Sequence, residues 1–344
     1  MKAEVLRRQD MGALTGVVLV ADIRDSLGRV ILGRGTLVGE DERLMLEGLP
    51  WEALHVLRPD VGDVLEREAG DRLSRAAAGD GINAGAVAAG HWPMAAVSRG
   101  IVELHHEALL EVNRGGELAI YTVADGQVVD QGEVVARVKI IPFVVEIGTL
   151  ERGVTTATGA GGVVSVRPFK PASVGVVVME SLGSSARERF QRALDEKAAW
   201  FGSSVLPHCA AVRNTRSVLA ALEGLLALKA DLVLVAGTQA MDPLDPAFEA
   251  VRKLGGQIER VGVPAHPGSL LWLARIDGTP IVGMPSCGLF SRATVFDLVL
   301  PRLLAGFTVD SSWLAGLGAG GLLTRDVAAR FPPYRPRQER GAVD

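Results

Sequence analysis

The chain has 344 residues, of which 48% are hydrophobic, and its 36 basic and 40 acidic side chains give a net charge of −4. At about 100–200 residues per domain, this length predicts two or three domains, and the hydrophobic content excludes disorder as the main state. The small net charge and the scattered basic residues give no electrostatic basis for nucleic-acid binding. No run in the sequence approaches the ~20 apolar residues of a membrane helix, so no membrane partner is expected.

The two cysteines, Cys209 and Cys287, form neither a disulfide framework nor a metal-type cluster in sequence, and they fit a reducing cytoplasm. The N-terminus loosely resembles a secretory signal, with a basic stretch before an apolar one. Glu4 and Asp10 interrupt the basic stretch, and a turn and a strand pattern follow at once. We therefore expect a cytoplasmic protein.

The first part of the chain predicts two small β-rich modules, at residues 1–62 and 63–152. In the first, the strand-like runs GVVLVADI and RVILGRGTLV surround a turn, and the helical pattern EDERLMLEGL follows. In the second, the amphipathic run VLEREAGDRLSRAAAG predicts a helix, and the turns ADGQ and DQGE separate valine-rich strands. The latter strands loosely resemble a lipoyl carrier, but Lys139 lies inside an apolar run rather than at an exposed hairpin tip.

The second half of the chain changes character at residue 173. Residues 153–172 are rich in Gly, Thr and Ala without a period and predict a linker. From 173 to 307, buried-type strands such as VGVVVM and DLVLV alternate with helical patterns, which predicts an α/β fold. We expect a three-layer, mostly parallel sheet, and a C-terminal extension at 308–344 whose end is disordered.

Ligands of such sheets bind beyond the carboxyl ends of the strands, so the strand ends are the places to look for a site. The first such end is MESLGSS, which offers Glu180 and the hydroxyls of Ser184 and Ser185 at the start of a helix. Backbone N–H groups there can hold an anion. The alternative is that one of the two serines simply caps the helix.

The second strand end is AGTQAMDPLD, which follows the apolar run ADLVLV. Gly237 lets the backbone come close to a ligand, and Thr238 and Gln239 add hydrogen-bonding groups. Asp242 and Asp245 are candidates to share a magnesium ion, which prefers oxygen ligands beside substrate phosphates. The alternative is that one of the two aspartates caps the next helix, and both roles are compatible.

The third strand end is the loop of Pro285, Ser286, Cys287 and Gly288, which precedes the last helix. Its small residues suit a phosphate or a polar ring edge. Cys287 at a helix start suggests a nucleophile, but no histidine partner is evident, which favours a plain loop cysteine. Between the second and third ends lies the turn HPGS, where His266 and Gly268 are further candidate contacts.

The order of these motifs resembles the molybdopterin-binding domain family, which molybdopterin adenylyltransferase, molybdopterin molybdotransferase and gephyrin share. In that family a loop of the type GG-x-S-x-x-D-x-x-D follows the third strand, and LGG, PGKP and GLPGNP motifs come later. The counterparts here are GTQAMDPLD, KLGGQIERVGVP, HPGSL and GMPSCG. The resemblance covers about 130 residues, 174 to about 304, and extends less sharply to DIRDSLGRVILGRGT and VVARVKIIPF.

The resemblance implies a pterin ligand and, by position, a set of roles. Asp242 and Asp245 would carry the magnesium and nucleotide chemistry and act as the catalytic pair. Gly237 and Thr238 would line the pterin phosphate, and Ser286 would lie in the last loop. A molybdoenzyme or another cofactor-biosynthesis protein is the implied partner, and homo-oligomers are common in the family.

The chain also departs from the family pattern. The family's GDE is MES here, its DSN is SSA, its GNP is SCG, and its PGKP lysine is replaced by Ser269 or Leu270. These losses favour binding of molybdopterin or the molybdenum cofactor, in synthesis, storage or delivery, over turnover. The alternatives are a Mg²⁺-dependent adenylyl- or molybdotransferase and a non-catalytic interaction protein for molybdoenzyme maturation.

Overall fold

The computed structural model describes residues 1–180, 183–284, 294–323, 331–332 and 334. The chain divides into two compact units. The first contains Met1–Ser98, Val102–Asp125 and Asp130–Val166, and the second contains Arg99–Ile101, Gly126–Val129 and the chain from Arg167 onward. Within the described residues, no helix has both the length and the hydropathy needed to cross a membrane.

The first module region, residues 1–62, consists of short strands, a 3-10 helix and one α-helix. They are β1 (Lys2–Arg7), a 3-10 helix (Arg8–Ala13), β2 (Val18–Leu19), β3 (Ile23–Arg24), β4 (Val30–Leu32), α1 (Glu40–Glu47) and β5 (Ala53–Arg58). Strands β1, β5 and β2 form one antiparallel sheet, and β3 pairs with β4. Their inward residues form a core of their own, from Leu6 to Val56, around the fully buried Leu14 and Leu46.

Residues 63–168, most of which belong to the first unit, form further strands and three α-helices. The elements are β6 (Asp63–Leu65), α2 (Glu66–Ala77), β7 (Ile82–Ala84), β8 (Trp92–Ala96), β9 (Gly100–Leu104), α3 (His106–Asn113), β10 (Leu118–Thr122), β11 (Val128–Val129), β12 (Val134–Ile140), β13 (Val144–Glu146), α4 (Ile147–Gly159) and β14 (Val164–Pro168). Strands β10, β12, β8 and β7 form an antiparallel sheet, and β13 pairs with β6. The helix predicted within Val64–Gly79 is confirmed as α2.

Two helices of this unit escaped prediction. The pattern HHEALLEVN forms α3, which begins after His105, whose Nδ1 accepts a hydrogen bond from the Ala108 amide. Residues 153–172, predicted to be a linker, contain the end of α4 and all of β14. We expected no regular structure there, and this expectation was wrong. Leu150, Gly153 and Ala157 recur on one buried face of α4, so a helix forms despite the glycines and threonines of this stretch. The domain boundaries themselves stay a prediction.

Among the described residues, the second unit contains a seven-stranded sheet. Six of its strands follow the order β16-β15-β18-β21-β20-β19, and the seventh, β17, also pairs with β15. Its elements are β15 (Ser173–Val178), α5 (Ser184–Trp200), β16 (Ser204–Val205), β17 (Cys209–Ala210), α6 (Thr215–Ala227), β18 (Leu232–Ala236), α7 (Pro246–Lys253), β19 (Gln257–Val261), β20 (Trp272–Ile276), β21 (Thr279–Met284), α8 (Phe296–Leu304) and α9 (Ser311–Gly316).

The predicted α/β character is confirmed, and the sheet, which we expected to be mostly parallel, is mixed. Strands β16, β17, β15, β18 and β21 run parallel, and β20 and β19 are joined to them by antiparallel pairs. The turn at Asp277 and Gly278 connects β20 directly to β21, and two strands joined by so short a turn are antiparallel.

Helices cover both faces of this sheet. Alternate residues of a strand point to opposite faces, so one strand contacts the helices on both sides. Leu232, Leu234 and Ala236 of β18 pack with residues of α5 and α8, whereas Val233 and Val235 pack with residues of α6 and α7. All five residues of β18 are buried. The end of the C-terminal extension predicted at 308–344, which we expected to be disordered, lies outside the described residues beyond position 334.

A buried ion pair lies between two of these helices. Lys197 Nζ of α5 is 2.6 Å from Asp297 Oδ1 of α8, and their side chains are 10% and 0% exposed. The Asp297 carboxylate also accepts hydrogen bonds from the Tyr334 hydroxyl at 2.6 Å and the Thr294 amide at 2.9 Å. Burial, followed by the charge of Asp297, raises the pKa of the Tyr334 phenol well above its ordinary value, so this hydroxyl stays a donor.

Lys197→Met is expected to lower the free energy of unfolding by about 3–5 kcal/mol, because it leaves the Asp297 carboxylate buried without its cation. Lys253→Met is the matched control, since Lys253 pairs with Glu249 on the surface of α7. That exposed pair is worth less than about 1 kcal/mol. Urea unfolding of both variants makes the comparison. Equal losses in the two variants would show that the buried pair contributes no more than a surface one.

His208, in the segment between β16 and β17, predicts a pH-dependent stability. Its ring packs against Phe190 at 5.8 Å, and its buried Nε2 has no hydrogen-bond partner within the described residues. Burial lowers the pKa of His208, against a smaller opposing effect of Asp195. Below about pH 6.5 the unfolded chain therefore binds a proton more readily than the folded one, and the free energy of unfolding decreases as pH falls.

His208→Phe is expected to flatten the dependence of the unfolding free energy on pH between about pH 7 and 5, because the ionisable group is gone. His55→Gln is the control, since His55 is exposed on β5. Urea unfolding at several pH values measures the slope for each. A His208→Phe slope equal to that of the wild-type protein would contradict this assignment.

Candidate functional site

The carboxyl ends of three parallel strands lie side by side in the second unit. Val178 of β15 is paired with Ala236 of β18, which is paired with Met284 of β21. Because the strands are parallel and in register, the segments that follow them emerge at one edge of the sheet. Trp272, the first residue of the antiparallel β20, pairs with Gly283 and so begins at this same edge. We refer to it as the carboxyl edge.

The first two strand ends contact each other directly at Glu180 and Gly237. Gly237 has a φ of +83°, and a β-carbon there would lie 2.4 Å from Glu180 Cγ. Only glycine suits both this backbone conformation and this close approach. Glu180 is half-buried. The fold thus brings together two of the predicted site residues, Glu180 and Gly237.

Thr238 is held by a tryptophan that the sequence reasoning did not single out. The indole N–H of Trp272 donates to Thr238 Oγ1 at 3.1 Å, and the Trp272 ring packs edge-on against Phe248 of α7. The indole lies across Gly283, where a β-carbon would come 1.9 Å from Nε1. The sequence signal for this arrangement is a glycine that pairs with a tryptophan on the neighbouring strand. This signal can be recognised only when the register of the two strands is known.

The two aspartates of the second strand end have different environments. Asp242 is exposed, and its Oδ1 accepts a hydrogen bond from the Leu244 amide at 3.0 Å. Asp245 is fully buried and is the N-cap of α7, accepting from the Ala247 amide at 2.9 Å. It also accepts from the Gln239 amide at 2.8 Å. The capping alternative is therefore confirmed for Asp245.

Arg213 is a second residue that sequence reasoning missed. It lies between β17 and α6, and its guanidinium donates to Gly237 O and to Asp245 Oδ2, both at 2.8 Å. These bonds link the beginning and the end of the loop from 237 to 245. An arginine in a polar stretch such as VRNTRS carries no sequence signal for this role, because its partners lie 24 and 32 residues away.

The remaining predicted residues lie in several different environments. Ser184 is exposed, and Ser185 Oγ accepts a hydrogen bond from the Arg189 guanidinium at 2.6 Å. The N-cap of α5 is Gly183, so neither serine has the capping role that was the alternative. His266 is exposed, with its backbone bonded to Gly321 and Leu323. Gly268, at a φ of +114°, packs against Val295 at the start of α8. The predicted contacts Pro285, Ser286, Cys287 and Gly288 lie outside the described residues.

The metal site predicted at Asp242 and Asp245 stays a prediction. Over the described ranges, no group of three or more His, Cys, Asp or Glu side chains is arranged to hold a metal ion. Magnesium keeps several waters and binds through one or two carboxylates together with substrate phosphates, so it does not require such a group. The exposed Asp242 carboxylate is suited to this mode of binding, whereas Asp245 is engaged by Arg213 and two amides.

Comparisons with known proteins find likeness at the level of structure. No protein-family profile matches the chain, and no curated protein sequence matches it. A molybdopterin biosynthesis MoeA protein from Pyrococcus horikosii aligns at 15% identity and a TM-score of 0.31, covering 71% of this chain and 79% of its own. A MogA structure aligns at 17% identity and a TM-score of 0.28, covering 40% of this chain and 99% of its own.

A third solved structure, a putative molybdenum cofactor biosynthesis protein from Corynebacterium diphtheriae, aligns at 16% identity and a TM-score of 0.27. It covers 40% of this chain and 99% of its own chain. At these values the likenesses assign no role to any single residue. Any role for this chain rests on the contacts of the carboxyl edge and on the sequence motifs.

Gly237→Ala is expected to destabilise the protein by about 1–3 kcal/mol, because alanine is strained at positive φ and its β-carbon would overlap Glu180. Gly224→Ala is the matched control, since Gly224 lies in α6 and a β-carbon added there would meet no atom within 4 Å. Alanine there should stabilise by about 0.5–1 kcal/mol. Thermal unfolding of both variants tests the prediction, and a neutral Gly237→Ala would show that the two strand ends are not tightly packed.

Proposed function

We propose that the protein binds molybdopterin or the molybdenum cofactor, including a nucleotide form of it, at the carboxyl edge of the second unit. The proposal places it in the biosynthesis, storage or delivery of that cofactor. The observation that carries it is the contact between the ends of β15 and β18, where Glu180 packs against Gly237 and the next residue, Thr238, is bonded to Trp272. Gly237 and Thr238 belong to the motif GTQAMDPLD, which resembles a loop of the molybdopterin-binding family, and Glu180 is the acid retained where the family's GDE has become MES.

The chemistry of the carboxyl edge suits a pterin that bears a phosphate. Glu180 offers carboxylate oxygens to the ring N–H and amino groups of a pterin, and a charge-assisted hydrogen bond of this kind is roughly twice as strong as a neutral one. Thr238 Oγ1 accepts from Trp272, so its own proton is available to donate to a phosphate oxygen. Asp242 is exposed in the same loop as Thr238, and its carboxylate suits a magnesium ion that also binds the phosphate.

Binding rather than turnover is proposed because the chain lacks several polar residues of the family motifs. The asparagines of DSN and GNP and the lysine of PGKP have no counterpart in SSA, SCG and HPGS. Asp245, one of the two acids to which the resemblance assigns catalysis, is buried with three hydrogen bonds. A protein that carries the cofactor needs only the binding groups that remain, Glu180, Thr238 and Asp242. Its partner would be a molybdoenzyme or another protein of cofactor biosynthesis.

The test is to release and identify a bound pterin. Freshly purified protein is denatured and oxidised, and the fluorescent pterin product is measured by chromatography; in a second arm, stripped protein is titrated with the cofactor. We expect pterin in the first arm or saturable binding in the second. Absence of both would refute the proposal.

Glu180→Gln is expected to weaken cofactor binding about ten- to a hundredfold, the loss of a hydrogen bond to a charged group. Glu223→Gln is the control, because Glu223 is exposed near the end of α6, the helix that leads into the start of β18. Titration of both stripped variants measures the two affinities. Equal affinities in the two variants would place the pterin away from Glu180.

A further inference from the structure

We propose that Arg213 and Asp245 form a clamp that fixes the loop from 237 to 245, so that Asp245 is a positioning residue and Asp242 is the acid that faces the ligand. The clamp is defined by Arg213, Asp245 and the three backbone groups that they bind, Gly237 O and the amides of Gln239 and Ala247. The ligand-facing part of this inference rests on the proposed function. The clamp itself does not.

The hydrogen bonds of Asp245 leave its carboxylate little capacity for a ligand. Oδ2 accepts from the Gln239 amide and from Arg213, each at 2.8 Å, and Oδ1 accepts from the Ala247 amide at 2.9 Å. A carboxylate has about four lone-pair positions, so three of them are in use. The residue is fully buried, and a cation could reach it only after the loop opened. Its contacts are those of a group that organises backbone.

Arg213 joins both ends of the same loop with one rigid group. Its Nη1 donates to Gly237 O, directly after β18, and its Nη2 donates to Asp245, directly before α7. The planar guanidinium holds two acceptors at a fixed separation, which a flexible lysine ammonium does not. The clamp therefore sets the distance between the two ends of the loop.

The position of Arg213 is itself fixed by its neighbours. Asn214 caps α6 by accepting from the Ser217 amide at 2.9 Å, and Ser217 Oγ accepts from the Val212 amide at 2.9 Å. The residues before and after Arg213 are thus both bonded to the first turn of α6. The arginine is presented to the loop from a rigid base, as a positioning residue requires.

Asp242 differs from Asp245 in accessibility. It lies on the exposed part of the loop between Met241 and Leu244, which are 81% and 83% exposed. Its Oδ1 accepts from the Leu244 amide, which holds the side chain in a turn. One carboxylate oxygen is then left accessible at the carboxyl edge. Of the two acids, Asp242 is the one that a cation or a ligand N–H group can reach without rearrangement.

The clamp is tested on the full chain without ligand, by hydrogen–deuterium exchange of peptides covering 237–247. Arg213→Gln and Asp245→Asn are each expected to speed exchange of the loop about tenfold or more, the loss of a hydrogen bond between charged groups. The double variant should exchange no faster than the faster single one, because both changes break the same clamp. Arg216→Gln, on the exposed side of α6, should exchange as the wild type does.

Arg213→Lys separates charge from geometry, and it should not restore wild-type exchange, because a lysine cannot hold both acceptors. The clamp is wrong if Arg213→Gln exchanges as Arg216→Gln does, or if the effects of the two single variants add. Because Arg213 lies at the surface end of the clamp, with a side chain 35% exposed, its variants test the idea even where Asp245→Asn fails to fold.

The roles of the two acids are tested by titrating the stripped protein with the cofactor and Mg²⁺. Asp242→Asn is expected to weaken binding about tenfold or more without changing exchange of the loop, since its amide oxygen still accepts from Leu244. Arg213→Gln and Asp245→Asn should weaken binding to the same extent as each other. If Arg213→Gln binds as tightly as the wild type while Asp245→Asn does not, Asp245 contacts the ligand directly. A wild-type protein that binds no pterin would refute the proposed function and leave the exchange result standing.

Discussion

The burial of β18 on both faces is the constraint on which the candidate site depends. Helices pack on each side of the sheet, so the five residues of the strand are all apolar and enclosed. A polar group placed within the strand would be buried without partners, and this is costly. Polar chemistry is therefore confined to the segment beyond Ala236, where the backbone leaves the sheet. The parallel register with β15 brings Glu180 to the same place, and the left-handed glycine at 237 allows the two segments to touch.

The second constraint is the need to satisfy a buried carboxylate. Asp245 is enclosed, so its charge must be matched by donors, and it obtains them from Arg213 and two backbone amides. The same bonds determine the shape of the loop. A motif with two aspartates three residues apart thus contains one acid that builds the loop and one that the loop exposes. Equal residue types at nearby positions do not imply equal roles, because burial decides which of them can meet a ligand.

Much of the second unit was predictable from sequence, because its strands are apolar runs and its helices are periodic. The strands β15 and β18 lie at the apolar runs VGVVVM and DLVLV, and helices follow them in the predicted alternation. The missed elements have weaker patterns: α4 contains several glycines and threonines, and its burial comes from tertiary packing. Arg213 and Trp272 could not have been found from local sequence, because their roles arise from partners more than 20 residues away. The antiparallel β20 was likewise set by a short turn and by pairing, not by composition.

The different roles of Asp242 and Asp245 also affect the interpretation of the motif GTQAMDPLD. A loop that resembles a catalytic motif can retain its shape without retaining catalysis, because the clamp of Arg213 and Asp245 acts on backbone and needs no substrate. The presence of the second aspartate is then explained by folding alone and carries no weight for turnover. The case for a ligand rests instead on the groups that folding leaves accessible, the carboxylates of Glu180 and Asp242 and the hydroxyl of Thr238. All three follow strands of one edge of the sheet, and the proposed cofactor binding depends on them.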